Sequence, residues 1–206
     1  AVILRGGKDS FHTSKAFFDI INESFTKSGI PENTIQMIPV TSRSAIDQML
    51  QLESYIDIII PRGGKELIQT IKQKSLIPVI KHLDGICHVF VDEDADLTKA
   101  QKVVYNSKMR RPGICGATET LLIDKKLSNK VMKILQRLKE ENCEIRGDEF
   151  ICKLDSSFKF ATNEDWYTEY LDKIISVKIV NGVDEAIEHI NKYSSHHTDS
   201  IITENN

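Results

Sequence analysis

The stretch YIDIIIPRGGKELIQTIKQKSLIPVI, residues 55–80, decides the fold. It opens on an apolar, isoleucine-rich run, YIDIIIP, of strand length, which RGG closes. Leu67, Ile68 and Ile71 then recur at helical spacing. A second apolar run, IPVIKH at 77–82, follows with almost no linker. Strand, glycine turn, helix and strand at this spacing predict parallel strands joined by a right-handed crossover. Upstream, the same grammar repeats. AVILRGG, residues 1–7, is a strand stopped by two glycines, and Phe17, Ile20, Ile21 and Phe25 predict a helix that SGIPEN ends at residues 28–33. TIQMIPV, residues 34–40, is the next strand. Thr41 or Ser42 can then cap a helix whose apolar face is Ala45, Ile46, Met49 and Leu50.

Downstream the elements are more mixed. GICHVFVD at 85–92 reads as a strand, and the acidic run at 92–96 suits the N-terminus of a helix with Leu97, Ala100 and Val104 on one face. TLLID at 120–124 is a strand, followed by an amphipathic helix carrying Leu127, Val131, Ile134, Leu135 and Leu138. CEIRGD at 143–148 is a short strand. Residues 149–172 have no clear period and read as loop-rich. IISVKIV at 174–180, a helix with Val183, Ala186, Ile187 and Ile190, and the strand SIIT at 200–203 complete the chain. The fold class is α/β, two open parallel-sheet lobes. The boundary falls near KHLDG, residues 81–85, and gives lobes of residues 1–84 and 85–206. Both ends of the sequence fall beside apparent strands, so the expectation is an internal portion of a longer protein.

The 206 residues, 40% hydrophobic with net charge −3, suffice for one large domain or two small lobes. Charges of both signs are interspersed, with no basic block or acidic tail pointing to nucleic acid or membrane. The apolar runs are far too short to cross a bilayer, and no signal peptide is visible. Cys87, Cys115, Cys143 and Cys152 form no C-x-x-C pair and have no histidine at zinc-ligand spacing, which predicts a reduced, cytoplasmic chain without a metal site.

Two features carry chemistry. Arg5, Gly6, Gly7 and Lys8 occupy the same place in one strand-turn-helix unit as Pro61, Arg62, Gly63 and Gly64 do in another. Glycines let backbone N–H groups approach an anion, and the following helix N-terminus favours negative charge. A nucleotide phosphate fits, although neither stretch is a P-loop or a dinucleotide fingerprint. Strand-to-helix turns with solvated Arg and Lys have the same composition, and spacing alone does not separate the two readings. The second feature is Cys115 in RRPGICGATET, residues 110–120. Gly113 and Gly116 remove bulk on both sides, Arg110 and Arg111 can favour a thiolate, and the Cys115 N–H can serve an oxyanion. A small apolar filler in a turn satisfies the same pattern.

IIIPRGGKEL, IPVIKHLDGICHVFVDEDADL, RRPGICGATETLLID, VKIVNGVDEAIEHI and HTDSIITEN occur in the order found in the gamma-glutamyl phosphate reductase (glutamate-5-semialdehyde dehydrogenase) family of the aldehyde dehydrogenase superfamily. The chain resembles an internal half of such an enzyme. The resemblance implies NADPH-dependent reduction of L-glutamyl 5-phosphate to L-glutamate 5-semialdehyde, in proline biosynthesis. Residues 1–84 would then be the C-terminal part of the dinucleotide-binding lobe, and residues 85–206 an incomplete catalytic lobe. It implies Cys115 as nucleophile, forming a thioester as phosphate leaves. Arg5, Gly6, Gly7, Lys8, Pro61, Arg62, Gly63, Gly64, His82 and Gly85 would line an NADP cleft, with Lys8 near the 2′-phosphate. Homo-oligomers are implied by the family. Hydrolytic relatives carry a water-activating glutamate where this chain has Lys81, His82 and Asp84, and an enzyme that exchanges with phosphate gains by lacking one. Gly116 stands where the family usually has asparagine. The resemblance also admits a non-catalytic fragment that only binds or interacts.

Overall fold

The computed structural model describes residues 1–81 and 84–205. The chain divides into two compact units, Ala1–His82 and Leu83–Asn206.

In the first unit, β1 (Val2–Leu4) pairs in parallel with β2 (Ile35–Met37) across α1 (Phe11–Lys27). α2 (Arg43–Met49) and α3 (Lys65–Lys74) follow. Among the described residues, the runs at 55–61 and 77–81 do not form the full strands that their composition predicts. They meet in one parallel bridge, Ile59 to Val79, with Ile59 N–H on Pro78 O at 2.9 Å and Ile80 N–H on Ile59 O at 2.9 Å. The core is small: Ile46, Leu50, Ile59, Ile71 and Ile77. α1 also departs from its expected face. Phe18, Ile21 and Phe25 turn partly inward, whereas Phe17 and Ile20 are exposed. With Phe11 and Ser14 the inward stripe repeats at alternating three and four residues, which is the period a helix face requires.

The second unit is a six-stranded parallel sheet in the order β6-β5-β7-β4-β3-β8. Its strands are β3 (Cys87–Val91), β4 (Thr118–Asp124), β5 (Glu144–Gly147), β6 (Lys159–Phe160), β7 (Ile174–Val180) and β8 (Asp199–Ile202). Its helices are α4 (Leu97–Met109), α5 (Val131–Glu140), α6 (Glu149–Leu154) and α7 (Gly182–Tyr193). β3 and β4 are buried along their whole length, because a parallel sheet is covered on both faces. Val89, Val91, Leu121 and Ile123 join Ala100 and Val104 of α4 and Leu135 and Leu138 of α5 in the main core. Phe90 and Leu122 face the other way, onto Ala186 of α7. Asp96 caps α4 by accepting the Lys99 N–H at 2.7 Å, so the acidic run does start a helix. Residues 149–172, expected to be loop-rich, contain α6 and β6.

α7 buries Ala186 and His189, not Ile187, which is exposed. The reason lies in the sheet: on this side β3 and β4 present His88 and Thr120, and the His189 ring packs edge-on against His88 at 5.5 Å and Trp166 at 5.2 Å. Burial, with His88, Lys178 and Lys192 adding to it, holds His189 down to about 3.

Leu135→Ala should therefore cost about 2–5 kcal/mol, and Ile187→Ala less than about 1 kcal/mol, as read from urea midpoints. An unfolded imidazole takes up its proton near 6.5 and folded His189 only near 3, so this site loses stability as pH falls through that window. The slope is at most about 1.4 kcal/mol per pH unit. Urea titrations from neutral pH downward should show a shallower fall for His189→Gln than for the unmodified chain.

Candidate active site

Cys115 lies on the link between α4 and β4, and it is exposed. Three amino-terminal strand ends meet beside it, because β4, β3 and β8 are neighbours in the sheet. At the start of β3, a Cβ added to Gly85 would stand 1.9 Å from the Cys115 carbonyl oxygen and 2.8 Å from its Cα. Only glycine lets the chain enter β3 so close to the cysteine turn. Gly85 donates its N–H to the Glu169 carboxylate at 2.8 Å, and Ile86 donates to Ser195 Oγ at 2.9 Å. The Cys87 thiol donates to the Cys115 carbonyl at 3.2 Å and lies 3.7 Å from His197 Nδ1. Burial, and then the Asp199 charge, push the Cys87 thiol up to about 11, so Cys87 stays a protonated donor. The backbone of Cys115 is thus clamped while its side chain is exposed. The Cys115 and Gly116 N–H groups meet no backbone carbonyl among the described residues.

The stems of this link are tied together. Lys108, in the last turn of α4, reaches Glu119 at the start of β4 at 2.5 Å, with both side chains fully buried. Glu119 also accepts the Leu171 N–H at 3.3 Å. Burial, opposed by Lys108, raises Glu119 to about 7. At Gly116, an added Cβ would meet, among the described residues, only His197 Cε1, at 4.0 Å, which is ordinary contact. The position has room for a Cβ.

In the first unit, the carboxyl ends of β1 and of the 55–60 run border one cavity. Arg5, Gly7, Pro61, Arg62 and Gly63 line it together, whereas Gly6, Lys8 and Gly64 do not. Arg5 donates to Thr41 O at 2.6 Å, and its Nε is buried without a partner among the described residues. Lys8 and Arg62 are exposed. A guanidinium with an unused buried N–H, beside glycines at the carboxyl edge of parallel strands, fits an anionic group. Gly85 belongs to the second unit, against Cys115, and His82 lies outside the described residues.

The sequence singles out Cys115 as nucleophile and Gly85 as a cofactor-cleft residue; it gives no sign that Gly85 packs on Cys115, nor of Glu169, Ser195 or the Cys87 thiol as supports. Those three carry no motif, and only the strand order β4-β3-β8 and the fold of residues 165–173 bring them near. Among the described residues no group of three His, Cys, Asp or Glu side chains is placed to hold a metal, and no helix is long and apolar enough to cross a membrane.

Open parallel α/β units of this kind, with an exposed cysteine at a strand entrance, define a class of two-lobed α/β proteins. The aldehyde dehydrogenase family model matches residues 1–148, and the chain belongs to that family. It is 49% identical over 206 residues to gamma-glutamyl phosphate reductase of Zymomonas mobilis subsp. mobilis, covering 100% of this chain and 48% of the relative. The crystal structure of gamma-glutamyl phosphate reductase from Thermotoga maritima superposes with TM-score 0.92 at 43% identity, over 98% of this chain and 49% of that one. An acetylating aldehyde dehydrogenase from Geobacillus thermoglucosidasius, 19% identical with TM-score 0.72, shares the fold over 100% of this chain and 54% of its own. The chain spans about half the length of the curated relatives it matches.

Iodoacetamide should label Cys115 well before Cys87 or Cys143, whose thiols burial raises to about 11. Peptide mapping by mass spectrometry gives the order. Gly85→Ala should change the Cys115 labelling rate and lower the melting temperature, because its methyl cannot fit beside the Cys115 carbonyl.

Proposed function

We propose that this chain carries the nucleophile and part of the cofactor site of an oxidoreductase that reduces L-glutamyl 5-phosphate to L-glutamate 5-semialdehyde with NADPH, in proline biosynthesis. Residues 1–84 supply part of the dinucleotide lobe and residues 85–206 the thiol. The observation that carries the reading is the exposed Cys115 side chain on a clamped backbone. Similarity to the gamma-glutamyl phosphate reductases supports the choice of substrate.

The Cys115 thiolate attacks the acyl carbon of the acyl phosphate. A carbon–sulfur bond forms, the carbon–oxygen bond to phosphorus breaks, and inorganic phosphate leaves with the bonding pair. The Cys115 and Gly116 N–H groups, which meet no backbone carbonyl among the described residues, would serve the developing oxyanion. NADPH, when bound, supplies the hydride that takes the thioester to the aldehyde and frees the thiolate. Arg5, Gly7, Arg62 and Gly63 are the residues suited to hold its phosphates. The thioester must outlast water. Of the glutamates around this link, Glu169 accepts the Gly85 N–H and Glu119 pairs with buried Lys108, contacts that tie both carboxylates into the frame around Cys115.

Phosphate-dependent NADP reduction with glutamate semialdehyde should fall by at least about a thousandfold in Cys115→Ala. Equal rates, or no rate from either protein, would overturn the reading for this chain. Gly116→Asn adds a Cβ that meets no close contact among the described residues, and its steady-state parameters will show whether an amide there changes KM or kcat.

A further inference from the structure

On the face of the second unit's sheet that α7 covers, one level is polar. His88 of β3 pairs in register with Thr120 of β4, and Thr120 with Ser176 of β7. Two residues further along, Phe90 and Leu122 are apolar and pack on Ala186. α7 brings His189 onto the polar level, its ring 5.5 Å from that of His88. Ser176 is satisfied, its Oγ 2.7 Å from the Tyr170 hydroxyl. Three other polar atoms are not. His88 Nε2, Thr120 Oγ1 and His189 Nε2 are buried with no hydrogen-bond partner among the described residues. Their residues are 1%, 0% and 4% exposed, so bulk solvent does not reach them. Buried polar groups in native proteins pair with protein or with ordered water. Three orphans on adjoining side chains therefore call for one shared partner.

Proton positions say what that partner must offer. Ile86 O, 3.2 Å from His88 Nδ1, can only accept, so Nδ1 carries a proton. Asp199 Oδ1 lies 3.3 Å from the same nitrogen. Burial lowers the His88 pKa and keeps the ring neutral at pH 7, which leaves Nε2 as a bare acceptor in need of a donor. Burial likewise keeps His189 neutral, and the Thr120 hydroxyl can both donate and accept. A water offers two donors and two acceptors, and about three polar partners is the usual number for a buried one. Two imidazoles and a hydroxyl suit a metal less well, and among the described residues no group of three His, Cys, Asp or Glu is placed to hold one. We propose that one buried water sits between β3, β4 and α7, donating to His88 Nε2 and bonded to Thr120 Oγ1 and His189 Nε2. It fixes His88 in the Nδ1–H tautomer, because the bond at one ring nitrogen decides the proton at the other. That tautomer holds the Ile86 carbonyl and the Asp199 carboxylate together at the entrance of β3. Ile86 stands between Gly85 and Cys87, the two residues that press on the Cys115 turn. The inference stands on this face of the sheet and does not depend on the reaction at Cys115.

Two measurements on this chain test it. A high-resolution crystal structure should show one ordered density peak within about 2.7–3.2 Å of His88 Nε2, Thr120 Oγ1 and His189 Nε2. Heteronuclear NMR of histidine-labelled protein should show His88 as the Nδ1–H tautomer, with cross-peaks from the His88 ring and the Thr120 methyl to a long-lived water. Thr120→Val keeps the shape and removes the hydroxyl, and should lose the density peak and the cross-peaks. Thr120→Ser should keep both. A direct bond from Thr120 Oγ1 to His88 Nε2, a dry interior at this level, an Nε2–H tautomer of His88, or a water that persists in Thr120→Val would each overturn the proposal. Should Thr120→Val not fold, the unmodified chain and Thr120→Ser still decide it: the water and the Nδ1–H tautomer in both sustain the inference, and the loss of either from either protein ends it.

Discussion

The second unit depends on the buried contact between Lys108 and Glu119. It joins the last turn of α4 to the first residues of β4, and the link that carries Cys115 is what lies between. A buried pair of this kind adds little net stability over an apolar replacement, but losing one partner strands a charge at a cost of about 3–5 kcal/mol. Its value is positional. With the stems fixed, the Cys115 turn can be pressed against Gly85 and Cys87 from one side while its thiol faces outward. The Leu171 N–H on the other Glu119 oxygen brings the segment after Glu169 into the same arrangement.

The two units carry their candidate site residues at opposite ends of their strands. In the first, glycines and arginines cluster at carboxyl ends, where backbone N–H groups and helix N-termini favour anions. In the second, Cys115 sits at the amino end of β4, where the chain arrives from a helix and makes a tight turn before it can pair. A turn there leaves backbone N–H groups unspent, and the neighbouring strand entrances supply side chains to hold it. The first arrangement suits a bound phosphate and the second a transient oxyanion.

Much of this was legible in the sequence. The α4 and α5 faces, the α2 face and the strand at 174–180 follow from periodicity, and each is decided by one dominant covering surface. The misreadings occur where that condition fails. Ile187 and Val183 share a helical stripe, but the sheet opposite offers His88 and Thr120, so α7 rolls to bring His189 in. Phe17 and Ile20 look like core and stay exposed, because the small first unit covers only a narrow stripe of α1. Around Cys115, the cysteine stands out for its motif, whereas Gly85, expected in the cofactor cleft, packs on the Cys115 backbone instead. Glu169 and Ser195 act through distance, which no local pattern records.

The runs at 55–61 and 77–82 fail for a different reason. Their composition is that of central strands, apolar on both faces, and central strands are specified by having neighbours on both sides. Here the 59 run has one neighbour among the described residues, and the ladder shrinks to a single bridge. β1 likewise pairs on one side only and is three residues long. A run of isoleucines with one partner exposes what its sequence is built to bury, Ile60 at 61% among them. The sequence signal is therefore stronger than the paired length uses, and the unpaired edges border the cavity lined by Ile3 and Ile58.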